Sequence, residues 1–185
     1  MVFRIKKGFT LVELLVVVAI LGVLAAVGIV TFGGFLGNAK ENATISNHKQ
    51  VVKFIQASIM KCNMGEELIL KHNPTTNTSD LCAKVSSGNS EDMVSHFVNH
   101  FLTLKWCNSY GFTHTNGTCE EGVASGGYDA SSVGTGGKLG EVNLKAKHST
   151  PKINDEYVRV YESIIIVDTR IEENKWLVDS IDLND

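Results

Sequence analysis

Several sets of residues in this chain have the types and spacing that chemistry asks for. Asp92, His96 and His100 fall at i, i+4 and i+8, so on a helix they share one face and could ligate a transition metal. A solvated helix face is the commoner meaning of such a triplet, and nothing else in the sequence supports a metal. The run GTGGKLG at 134–140 has the look of a phosphate loop, but Ser132 stands where Walker A needs its first glycine and Leu139 where it needs Ser or Thr. Leu139 also occupies the last glycine position of a dinucleotide fingerprint. Asp168, Glu172, Glu173, Asp179, Asp182 and Asp185 supply calcium-type oxygens without the regular spacing of a calcium loop, so a charged surface is the expectation. There is no G-x-S-x-G elbow and no H-E-x-x-H, and neither an enzyme activity nor a cofactor is expected.

The remaining candidates are Glu13 and the cysteines. From Leu14 to Val30 no side chain is charged or polar, and Arg4, Lys6 and Lys7 precede the segment. Taken as a helix from Phe9 to Phe32 it would be about 36 Å long, enough for a hydrocarbon core of about 30 Å. The positive-inside rule puts its N-terminus in the cytoplasm. A carboxylate in such a helix costs up to about 3 kcal/mol, and usually marks a function. Cleavage before Phe9 would create an α-amine about 6 Å from Glu13 along the helix. In a staggered stack of parallel helices the Glu13 carboxylate would then meet a neighbour's amine, and pairing would remove most of the penalty each charge suffers alone.

Lys6-Lys7-Gly8-Phe9-Thr10-Leu11-Val12-Glu13-Leu14-Leu15 resembles the class III leader junction of type IV pilins and pseudopilins. The resemblance covers about thirty residues. It implies a scissile bond between Gly8 and Phe9, N-methylation of Phe9, and Glu13 as the filament-assembly glutamate. It also implies a prepilin peptidase, an assembly ATPase and a platform protein as partners, and a homo-oligomeric helical filament serving adhesion, twitching or DNA uptake. The precursor would sit in the bacterial inner membrane and the product in an extracellular pilus. A major pilin is expected first, then a minor pilin or a type II secretion pseudopilin. A membrane-anchored extracytoplasmic enzyme or binding domain is a distant alternative. Val30 stands near where many family members carry a helix proline, while Gly22 and Gly28 weaken the helix by about 1 kcal/mol each. An ordinary secretory signal, cut near Ala25–Ala26, and a plain single-pass anchor both leave Glu13 without a reason.

The elements that must position these residues follow from periodicity. Gly33, Gly34 and Gly37 predict a flexible point, after which Ile45, Val52, Ile55, Ile59 and Cys62 form one apolar helical stripe. Asn73–Asp80 is a polar loop. A second helix follows, with Ser90 as N-cap and Met93, Val94, Phe97, Val98, Phe101 and Leu102 on its buried side. Asn108–Gly140 reads as loop. Glu141–Lys147, Tyr157–Tyr161, Ser163–Ile171 and Lys175–Ile181 read as antiparallel strands, the last two joined by a turn at Glu172–Asn174, with Ile164–Val167 central. The fold class is α+β and pilin-like: a long N-terminal helix packed on an antiparallel sheet. Residues 1–8 are the expected leader, 9–37 the transmembrane and assembly helix, and 38–185 the globular head.

Four cysteines, Cys62, Cys82, Cys107 and Cys119, all lie beyond the apolar segment, and none forms a short zinc-ligand pair. They fit two disulfides in an oxidising compartment. Of three possible pairings, sequential closure as Cys62–Cys82 and Cys107–Cys119 is preferred because short loops meet most readily, each contributing about 3 kcal/mol in the chain-entropy model. The 185-residue chain has a formal charge of −3, and removal of residues 1–8 takes away Arg4, Lys6 and Lys7, leaving −6. So acidic a product does not fit general nucleic-acid binding. Asn42, Asn77 and Asn116 begin N-x-S/T sequons, which are weak signals in a bacterial protein.

Overall fold

The computed structural model describes residues 8–73, 75–111, 122–125, 137–149, 152–153, 156–157 and 160–184. Two compact units divide it, Met1–Ala39 and Lys40–Asp185. Helix α1, Leu11–Asn63, is continuous through Gly33, Gly34 and Gly37. The expected flexible point is therefore not a break in the helix; glycine lowers helix stability by about 1 kcal/mol without forbidding the conformation.

In the second unit, α1 is followed by β1 (Lys71–Asn73), β2 (Thr76–Asn77), α2 (Cys82–Ser86) and α3 (Ser90–Thr103). Then come β3 (Val123–Ser125), β4 (Val142–Ser149), β5 (Lys152–Ile153), β6 (Glu156–Tyr157), β7 (Val160–Glu172) and β8 (Lys175–Asp182). The main sheet has the order β3-β4-β7-β8, which makes the β-branched run Ile164–Val167 a central strand as its composition demands. Its β4-β7 and β7-β8 pairs are antiparallel, whereas β3 pairs parallel with β4, Val123 opposite Val142. The segment read as loop thus contains an edge strand. Three residues are too few for a period-two signal to register.

The core joins α1, α3 and one face of the sheet. Val51, Ile55 and Ile59 of α1 meet Met93, Phe97 and Phe101 of α3 over Val142, Leu144, Ile165 and Val167. Phe54 lies edge-on to Phe97 and Phe101 at centroid distances of 6.2 and 5.3 Å. The buried stripe of α1 is more polar than its apolar spacing predicts. Thr44, His48 and Ser58 are buried in it, while Ile45 and Cys62 are only half-covered. Helix α3 begins one residue from the predicted cap: the Asn89 side chain accepts from the Asp92 N–H, and Ser90 is helical, its hydroxyl donating to the Glu162 carbonyl. Leu102 is half-buried.

Three polar features hold this unit. The first is Cys62–Cys82, bonded at 2.04 Å across a sequence separation of 20. It ties the end of α1 to α2, and Asp80 beside it accepts from the Leu68 and Cys82 N–H groups. Cys119, the expected partner of Cys107, lies outside the described residues. The second feature is an ion pair, Lys145 Nζ to Asp168 Oδ2 at 2.6 Å, with both side chains almost fully buried. Register places the pair on the face of the sheet opposite α1, since Leu144 and Val167, their neighbours in sequence, belong to the core. The expectation of a solvated carboxylate surface fails at Asp168.

The third is His100. It was expected on a solvated face, yet it is buried, stacked on Phe54 at 5.0 Å, and its Nδ1 accepts from the Lys71 N–H at 2.9 Å. Burial, aided by the Lys71 charge, holds its imidazole below the ordinary histidine range. A depressed histidine stabilises the fold fully above the unfolded value of about 6.5, and that contribution is lost as pH falls through the folded value. His96 is shifted the same way, first by burial and then by Lys84 and His72, against Asp92.

Two predictions follow for the full chain in detergent. Lys145→Met removes the ammonium partner of a buried carboxylate and is expected to cost about 3–5 kcal/mol in urea unfolding, while Lys145→Met with Asp168→Leu recovers most of the loss. Equal costs for the single and double replacements would contradict the coupling. As pH falls below the unfolded histidine value of about 6.5 the unmodified chain should lose stability, and His100→Gln should flatten part of that profile.

Candidate functional site

The residues singled out at the N-terminus sit on the first turns of α1, in the first unit. Phe9 is 83% exposed, and the large apolar side chains from Leu11 to Leu36 are exposed as well. None of the most apolar stretch of α1 is buried within the chain, and the helix is long and apolar enough to cross a membrane by length and composition.

Helix α1 begins with a capping box. Thr10 immediately precedes its first residue, Leu11, and Glu13 is the third residue inside. The Glu13 carboxylate oxygen Oε2 accepts from both the Thr10 N–H and the Thr10 hydroxyl, each at 2.8 Å. In return the Glu13 N–H reaches Thr10 Oγ1 at 3.3 Å. The first turn of a helix leaves backbone N–H groups without partners and carries a partial positive charge, so a carboxylate there is favourable. The T-x-x-E signature of this cap is plain in Thr10-Leu11-Val12-Glu13, yet the sequence reading assigned Glu13 only an external partner. Both cap bonds use Oε2. Among the described residues Oε1 has no partner, which leaves that lone-pair side open to a donor from another molecule.

The other predicted groups are dispersed. His100 is committed to the Lys71 backbone. Asp92 pairs with Lys84 at 2.5 Å, and His96 faces His72 at a ring separation of 6.4 Å. Among the described residues no three His, Cys, Asp or Glu side chains are gathered to hold a metal ion. Residues 137–140 of the glycine run are described: Gly140 adopts φ +83°, donates to the Arg170 carbonyl, and packs so closely on Asn108 and Tyr110 that a side chain there would collide. That is turn geometry. Asn42 and Asn77 are exposed, and Asn116 lies outside the described residues.

One constellation escaped the sequence reading. His48 of α1 lies between β7 and β8, Nε2 at 2.7 Å from Asp179 Oδ2 and Nδ1 at 2.9 Å from Thr169 Oγ1. A carboxylate only accepts, so Nε2 carries a proton; on a neutral ring Nδ1 then accepts from the Thr169 hydroxyl. The connectivity is that of a hydrolytic triad, but Thr169 is fully buried and no substrate carbonyl can approach its oxygen. The arrangement fixes helix to sheet. Apolar periodicity could not have found it, because the residues involved are polar.

The family described as "Prokaryotic N-terminal methylation motif" matches residues 3–29. The type IV major fimbrial protein FimA of Dichelobacter nodosus is 30% identical over 66 residues, 36% of this chain and 42% of that protein. A fimbrial protein of Moraxella nonliquefaciens is 24% identical over 119 residues, covering 54% of this chain and 77% of that protein. A fimbrial protein of Pseudomonas aeruginosa is 28% identical over 78 residues, 42% of this chain and 49% of its own length. The chain thus spans less than half the length of the Dichelobacter and Pseudomonas relatives it matches. No solved structure matches significantly. The N-terminal methylation motif, the long helix on a mostly antiparallel sheet, and the distant homology to type IV fimbrial proteins together support a type IV pilin.

Proposed function

We propose that this chain is the precursor of a type IV pilus subunit, most simply the major pilin, whose role is assembly and not catalysis. The observation that carries the reading is Glu13, the single carboxylate in the exposed apolar stretch Leu11–Leu36 of α1, four residues after Phe9. In this reading a prepilin peptidase cuts between Gly8 and Phe9, and Phe9 is N-methylated. Residues 9–37 are the transmembrane and assembly segment, and 38–185 the head. The subunit waits in the bacterial inner membrane until the assembly ATPase and platform protein load it into an extracellular homo-oligomeric filament, which serves adhesion, twitching or DNA uptake.

The cap geometry refines how Glu13 acts. In an isolated subunit the bonds from Thr10 hold one carboxylate oxygen and help offset the cost of placing the charge in an apolar setting. The other oxygen then takes the Phe9 amine of a neighbouring subunit, so joining the filament does not require the helix cap to be dismantled. Pairing restricted to one position along an otherwise uniform apolar surface sets the stagger between subunits.

Glu13→Ala is expected to leave export and leader removal largely intact while reducing incorporation into sheared fibres severely, read as the ratio of fibre to membrane subunit. Normal piliation in that variant would overturn the pairing. Thr10→Val removes the capping hydroxyl, about 1 kcal/mol of helix stability, but keeps the carboxylate, so incorporation should fall less than with Glu13→Ala. An equal or greater loss with Thr10→Val would mean that the cap, and not the charge, governs assembly.

A further inference from the structure

Although Asp92, His96 and His100 do not act together, His96 and His72 are arranged to share a ligand. His72 lies on β1 and His96 on α3, their ring centroids 6.4 Å apart and their planes inclined by 57°. His72 is exposed and His96 half-buried. The Nδ1 atom of His96 is sealed from solvent without a hydrogen-bond partner, which leaves Nε2 as the ring atom free to ligate. One helical turn before His96 on α3 stands Asp92, its carboxylate held by Lys84. His100, one turn after, is excluded because its Nδ1 is occupied by the Lys71 N–H and its ring is stacked on Phe54.

We infer that His72 and His96 form a binding site for a borderline divalent transition metal such as Zn2+. Imidazole nitrogen is a preferred ligand for such ions, at Zn–N distances of about 2.0–2.1 Å. Two rings bound to one tetrahedral ion at those distances have centroids about 1 Å closer than they stand here, a movement the exposed His72 side chain can make. Water completes the coordination. His72 lies within the loop closed by Cys62–Cys82, so the ion would clamp that loop to α3. The inference does not depend on the pilin reading.

The test is calorimetric titration of the full chain in detergent micelles with Zn2+ at neutral pH, alongside the unfolding midpoint of the head. Saturable uptake and a raised midpoint are expected, since an ion that binds only the folded state stabilises it. His72→Ala and His96→Ala should each abolish both effects, and His148→Ala should abolish neither. His72 is exposed, so its variant keeps the test decisive even if His96→Ala folds poorly. No uptake by the unmodified chain, or undiminished uptake by His72→Ala, would overturn the assignment.

Discussion

Helix α1 carries, from Leu11 to Leu36, large apolar side chains that are exposed among the described residues. Burying apolar area is worth about 25 cal/mol per Å2, so no water-exposed state of such a segment is stable. Something else must cover it, and lipid or the same segment of other subunits are the covers that the pilin reading supplies. The rest of the molecule answers to that constraint. A carboxylate is tolerated on this surface only where it has partners, and Glu13 sits at the one place where the helix offers them, beside the unpaired N–H groups of its first turn.

Past Ala39 the same helix faces a different requirement, because one of its sides must fit a folded core. Val51, Ile55 and Ile59 supply the apolar contact. His48, threaded between Asp179 and Thr169, supplies direction. Apolar packing tolerates small slips, whereas a ring with hydrogen bonds at both nitrogens does not. On the far side of the sheet the Lys145–Asp168 pair acts similarly between β4 and β7, where a mispaired register would strand two buried charges. The disulfide from Cys62 to Cys82 then secures the outer end of the helix.

Much of this was legible in the residues themselves. The apolar run, its flanking cations and the lone Glu13 were enough to point to the family, and β-branched enrichment located the central strand at Ile164–Val167. What stayed hidden was of one kind, polar groups that are buried because another polar group, distant in sequence, meets them. His48 meets Asp179, Lys145 meets Asp168 and His100 meets the Lys71 backbone, and the hydropathy of a single residue carries no information about such partners. The parallel strand Val123–Ser125 was too short for any periodicity. The Thr10–Glu13 cap is a different case: its T-x-x-E pattern is plain in the sequence, and the local partner it gives Glu13 does not compete with an external one.

The most direct test of the central claim is mass spectrometry of the N-terminal peptide from protein recovered from membranes or sheared fibres. A peptide beginning at N-methylated Phe9 is the predicted result, and it would establish processing at the Gly8–Phe9 bond. A peptide beginning at Met1, in cells with an active prepilin peptidase, would mean a permanent anchor; one beginning beyond Ala26 would mean an ordinary secreted protein. Either would contradict the account.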